Sequence, residues 1–184
     1  MNMNLNELRD KAYKTACEHG FHDKELSNEH CLMLVITELS EAVEADRKGK
    51  RATRKMFEDN IHTPQTNPDQ HWIFCFNNFI KDSVEDELAD ACIRLLDLAG
   101  LRNIDMNNRF IISYIVNEKK SFTENIYSVL KDIVNYRYTF EECLNYSIRQ
   151  IFELARFNNM NLLWHIEQKM LYNSFRDKMH GKKY

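Results

Sequence analysis

The chain has 184 residues, with 25 Lys and Arg against 28 Asp and Glu and a net charge of −3; this length predicts one domain, residues 1–184, with a real core. The slight acidity and the absence of a dense Lys/Arg stripe argue against binding long nucleic acid, whose phosphates such a stripe would have to neutralise. No apolar run approaches the ~20 residues needed to span a bilayer, and Met1–Asp10 is too polar for a signal peptide, so no membrane partner and a cytoplasmic location are expected.

Glycine and proline are scarce, at four and two residues, while Leu, Glu, Lys, Asn and Met recur, which predicts an all-α fold. A first helix is expected over Leu5–His19, ended by Gly20. A second opens at the N-cap Ser27 and runs to about Lys48, before Gly49. Residues 49–70 carry Pro64 and Pro68 among polar and basic groups and read as a long loop, of a length that often serves as a lid. His71–Ile80 is aromatic and undecided in type. Ser83–Leu98 reads as a helix in which Ser83 and Asp86 resemble a capping box and after which Gly100 is a stop. Arg109–Val116 is apolar and β-branched, a composition that weakens its helical reading. Ser121 with Glu124 and Thr139 with Glu142 are capping boxes announcing helices near 122–136 and 140–157. A last helix spans Leu162–Met179, followed by the basic tail His180–Tyr184.

Five cysteines, Cys17, Cys31, Cys75, Cys92 and Cys143, are odd in number and widely spaced, with no CxxC pair. Reduced, mostly buried thiols are expected rather than zinc ligands or disulfides. Cys92 lies on an apolar helical stripe.

The chemistry concentrates in a repeated pattern. Glu38-Leu39-Ser40-Glu41-Ala42 in the second helix is echoed by Glu87-Leu88-Ala89-Asp90-Ala91 after the presumed loop. Residues three apart on a helix share a face, so each pair offers two carboxylates to one point. On a wheel of about 100° per residue, the second helix has an apolar stripe of Leu32, Val35, Ile36, Leu39 and Val43. The later helix has one of Val84, Leu88, Ala91, Cys92, Leu95 and Ala99. Both acidic pairs fall at a similar offset from these stripes. A lone pair of this kind is usually solvated surface; twin pairs at matched positions point instead to convergence of four carboxylates, whose repulsion a divalent cation would relieve. An all-oxygen ligand set suits a hard ion such as Mg²⁺ or Mn²⁺. Glu44 and Glu85 lie off this face, and Asp86 is assigned to the helix start.

The order ExxE, spacer, ExxD, filled by Glu38, Glu41, Glu87 and Asp90, resembles the all-α NTP pyrophosphohydrolase superfamily of MazG-like and dimeric dUTPase-like proteins. A second similarity is the run Lys169 to Arg176, which fits a K-x3-N-x2-R pattern through Lys169, Asn173 and Arg176. A third is the closing His180-Gly181-Lys182. Together these cover about residues 30–48, 83–100 and 160–184. The resemblance implies a MazG-like helical bundle and Mg²⁺-dependent hydrolysis of a nucleoside triphosphate to the monophosphate and pyrophosphate, in nucleotide-pool housecleaning. It also implies assembly as a homodimer or homotetramer. In this reading all four acids hold metal, Glu38 or its partner Glu41 is the base, with Glu38 preferred, and Lys169, Asn173, Arg176 and Lys182 bind substrate.

The C-terminal motif has its own physical rationale. Lys169, Asn173 and Arg176 continue the stripe of Leu162 and Ile166 toward the interior, and an inward polar stripe needs a partner such as a phosphate. Arg94, one turn past Asp90, is expected to pair with it. His71, Trp72, Phe74 and Phe76 are candidates for stacking on a base, although such clusters more often form core. A rival reading is a helical interaction or regulatory module that binds metal without hydrolysis.

Overall fold

The computed structural model describes residues 4–107, 116–135 and 139–181. Among them are eight α-helices and no strand: α1 Leu5–Glu18, α2 Asn28–Arg47, α3 Arg54–Ile61, α4 Pro68–Phe79, α5 Val84–Leu101, α6 Phe122–Val134, α7 Phe140–Phe157 and α8 Leu162–Ser174. A 3₁₀ turn, Lys178–Gly181, follows α8. No helix among the described residues is long and apolar enough to cross a membrane.

Side-chain caps set most helix starts. Ser27 accepts the N–H of His30 in front of α2, and both expected capping boxes are present, Ser121 with Glu124 and Thr139 with Glu142. Each cap satisfies N–H groups that the first turn leaves without partners. The C-terminus of α2 closes through Gly49 at φ +66°, which lets the N–H of Lys50 return to the carbonyl of Ala45 at 2.9 Å.

Helix α5 is the axis of the molecule. It packs against α1, α2, α7 and α8, and Val84, Leu88, Ala91, Cys92, Leu95, Leu96 and Ala99 on it are all buried. The main core gathers around this helix from α1, α2, α6, α7 and α8. A smaller core of Phe57, Cys75, Phe76 and Ile80 lies under α3 and α4, sealed by Trp164 and Tyr172 of α8.

Four expectations are corrected. The segment between the acidic helices is not a long loop, because α3 and α4 occupy most of it. Helix α3 is hard to see in the sequence: it is eight residues long, Thr53 makes no side-chain cap bond, and it buries only Phe57. Pro68, read as a loop marker, is the first residue of α4, where a missing N–H costs nothing, and Asn67 caps it.

Gly100 does not stop α5 but lies within it. A Cβ there would meet Cβ of Tyr13 at 2.4 Å, so the glycine is what lets α1 approach α5. The last helix ends at Ser174 rather than Met179, and the chain turns back so that the N–H of Met179 reaches the carbonyl of His19 at 2.9 Å. Of Arg109–Val116, residues 109–115 lie outside the described residues, as do Lys182 and Lys183.

Candidate metal centre

The two acidic helices face each other. The ExxE spacing on α2 turns Glu38 and Glu41 to one side, and α5 presents Glu87 from the opposite wall. One carboxylate oxygen from each of the three lies within 4.8 Å of the others. Glu38 and Glu87 are buried, at 4% and 5% exposure, whereas Glu41 is exposed at the rim.

Glu38 is anchored by Arg94, whose Nε donates to Oε1 at 2.5 Å. This corrects the expected pairing of Arg94 with Asp90: the guanidinium crosses to α2 instead of reaching back along its own helix. Asp90 bonds Lys169 of α8, with Nζ to Oδ2 at 2.8 Å. The same ammonium lies 2.8 Å from Oδ2 of Asp86.

Asp86, assigned from sequence to the helix start, has a larger part. Its N–H donates to Oγ of Ser83 at 3.2 Å, and its Oδ2 accepts the N–H of Asp82 at 2.9 Å. Its carboxylate is also 1% exposed and ion-paired to Lys169. Asp82, Asp86 and Glu87 form a second group of three oxygens within 4.8 Å. The signal lay in spacing: Asp86 is one turn before Asp90 on α5 and so shares its face, whereas Asp82 precedes the N-cap Ser83 and is brought to Asp86 by the turn, at φ +57°.

Burial and mutual repulsion shift these groups. Glu87 is pushed up to about 8, first by burial and then by Asp86 and Asp90. Burial likewise lifts Asp86 to about 6 against the pull of Lys169. Glu38 is raised by burial and by Asp90, with Arg94 opposing. Burial alone would lower Lys169, but the carboxylates of Asp90 and Asp86 hold it above its ordinary range. Glu87 and Glu41 form no ion pair among the described residues. A divalent cation fits here: the donors are all oxygens, they already converge, and the most strongly shifted of them is stabilised as the anion only by added positive charge.

A cleft opens from Asp90 and Arg94 toward α1. Its walls include Thr15 and Ala16 of α1, His22 and Leu34, and Asn173 and Arg176 of the C-terminal segment. Asn173 is 8% exposed, and its Oδ1 is buried without a hydrogen-bond partner. His22 bonds Asp97 through Nε2 at 2.7 Å, a polar contact in the cleft wall that sequence reasoning did not single out.

Of the predicted substrate-binding residues, Asn173 and Arg176 line this cleft, Lys169 is directed onto Asp86 and Asp90, and Lys182 lies outside the described residues. The aromatic candidates divide. Phe76 is fully buried and stacks on Tyr172 at 4.4 Å between centroids, Trp72 stacks on Phe76 at 5.4 Å, and Phe74 is exposed. Phe76 and Trp72 thus serve the smaller core. His71 bonds the carbonyl of Asn60 at 2.9 Å, tying α4 to α3. No family model, curated protein or solved structure matches this chain.

Proposed function

We propose that the chain is a Mg²⁺-dependent nucleoside triphosphate pyrophosphohydrolase of the all-α, MazG-like class, converting a (d)NTP and water to the monophosphate and pyrophosphate. The observation that carries this reading is the convergence of Glu38, Glu41 and Glu87 within 4.8 Å, joined through Arg94, which bonds Glu38, to a cleft that Arg94 and Asp90 line together with Asn173 and Arg176. Glu38, Glu41 and Glu87 would hold the Mg²⁺ ion, which when bound would supply positive charge to the phosphates and Lewis acidity at the bond that breaks; Asp90 is engaged by Lys169.

The chain's own groups divide the remaining work. Glu38 is fixed through Oε1 by Arg94, which leaves its second oxygen to orient the attacking water and accept its proton. Arg176 matches a phosphate in bidentate geometry, and the amide of Asn173 donates to a phosphate or sugar oxygen. The cleft between α1, α5 and the C-terminal segment takes the nucleoside. Assembly as a homodimer or homotetramer and a role in cytoplasmic nucleotide housecleaning belong to the same reading.

The deciding assay incubates purified protein and Mg²⁺ with a panel of canonical and damaged (d)NTPs and measures both pyrophosphate and orthophosphate. Pyrophosphate from at least one nucleotide is expected. No pyrophosphate from any of them, or orthophosphate alone, refutes the assignment.

A further inference from the structure

The acid cluster is more negative than a single ion at Glu38, Glu41 and Glu87 would require, and part of it is balanced from within the chain. Lys169, 4% exposed, extends from α8 and sets Nζ 2.8 Å from both Asp86 and Asp90. Its ammonium lies 5.8 Å from the ring centroids of Phe76 and of Tyr172, so one side of its site is aromatic and the other carboxylate. Asp86 is 1% exposed, and its Oδ1 is buried with no hydrogen-bond partner. Asp82 and Glu87 each place an oxygen within 4.8 Å of that carboxylate.

A buried carboxylate keeps an unbonded oxygen only at a penalty, and a cation with ligand positions to fill would remove it. An ammonium is a compact point charge with three donors and so can stand in a position otherwise suited to a metal ion. Two carboxylates and one ammonium carry a net charge of −1, whereas a divalent cation would bring the same pair to zero.

We propose that Lys169 is a built-in counter-cation filling a second cation position between Asp86 and Asp90. The wild-type chain accordingly takes one divalent ion, at Glu38, Glu41 and Glu87, and gains a second divalent site when the ammonium is removed. Asp86 and Asp90 are the core ligands of that latent site, with Asp82 and Glu87 within reach of Asp86. The inference rests on the acid cluster taking a divalent cation, and not on hydrolysis.

The test counts Mn²⁺ ions bound to the full chain by calorimetry and electron paramagnetic resonance for wild type, Lys169→Met and the double variant Lys169→Met with Asp86→Asn, alongside thermal melts with and without Mn²⁺. One ion is expected for wild type, two for Lys169→Met and one for the double variant, with a larger Mn²⁺-induced rise in Tm for Lys169→Met than for wild type. Two ions in wild type overturn the inference without any variant. One ion in both wild type and Lys169→Met, with equal rises in Tm, overturns it while leaving the metal centre standing, whereas no ion in any form removes the metal centre as well. Lys169→Met that folds only with Mn²⁺ supports the inference; if it stays unfolded with Mn²⁺ present, an ion does not replace the ammonium and the inference fails.

Discussion

Substituting Gly100 by alanine separates two effects of opposite sign. Within a helix, alanine is favoured over glycine by about 1 kcal/mol, so propensity alone predicts a more stable protein. Against this, the new Cβ would lie 2.4 Å from Cβ and 2.9 Å from Cγ of Tyr13. Relief to an ordinary contact of 3.4 Å requires α1 and α5 to move apart by about 1 Å. Because both Cβ atoms are fixed to their backbones, no rotamer change removes the clash, which places its penalty toward the upper end of the ~1–3 kcal/mol seen for overpacked cores. The net expectation is a loss of about 2 kcal/mol, or a fall in Tm of roughly 4–8 °C for a chain of this size. Thermal and urea melts of Gly100→Ala measure it. Gly49→Ala is the control: nothing lies within 4 Å of its Cβ position, and its φ of +66° makes strain the only contribution. A Gly100→Ala protein as stable as wild type, or more stable, would show that the α1–α5 contact does not depend on the missing side chain.

Glu87 should set a pH dependence in the metal-free protein. Its folded-state value of about 8 stands above the ordinary 4.5, so the folded chain favours the neutral acid, and stability present below pH 4.5 is lost as pH rises through 8. Glu87→Gln should therefore melt higher than wild type at pH 8, with the gap closing toward pH 4.5, and protection of wild type by Mg²⁺ should grow over the same window; a gap independent of pH contradicts this. Glu38→Gln and Asp90→Asn should keep the helical circular dichroism spectrum and abolish pyrophosphate release, and retained turnover removes the substituted residue from the site. Phe76→Ala deletes the centre of the smaller core and should cost about 3–5 kcal/mol in urea unfolding, a loss that a solvent-facing stacking residue would not produce. A thiol reagent should modify exposed Cys17 first, and Cys75, Cys92 and Cys143, all buried, only on unfolding; prompt native-state reaction of Cys92 argues against its place in the core.

How much of this could be read from the sequence follows from the range of each signal. Ser27, Ser121 and Thr139 act within three residues, and the helix starts they mark agree with the expected ones. The ExxE pair is likewise local, and Glu38 and Glu41 share a face as their spacing requires. What sequence could not supply was the third dimension of the same site. Lys169 reads as a phosphate ligand until α8 is laid against α5 and Asp86 and Asp90 take it, and Arg94 reads as a neighbour of Asp90 until α2 offers Glu38. Helix α3 escaped because one buried phenylalanine carries no periodicity, and Gly100 because a stop signal and a close helix contact call for the same residue.

Helix α5 also ties the neutralisation of its acids to the survival of the fold. The segment carrying Asp86, Glu87 and Asp90 is the one most enclosed by the rest of the chain, so its charge cannot be relieved by moving into water without opening the core. Whatever neutralises those acids acts as a folding partner as much as a reagent, because binding free energy at such a helix is folding free energy. If the proposed ion is the one that does so, a shortage of divalent ions should lower the abundance of the chain through proteolysis, since the unfolded fraction exposed to proteases follows stability.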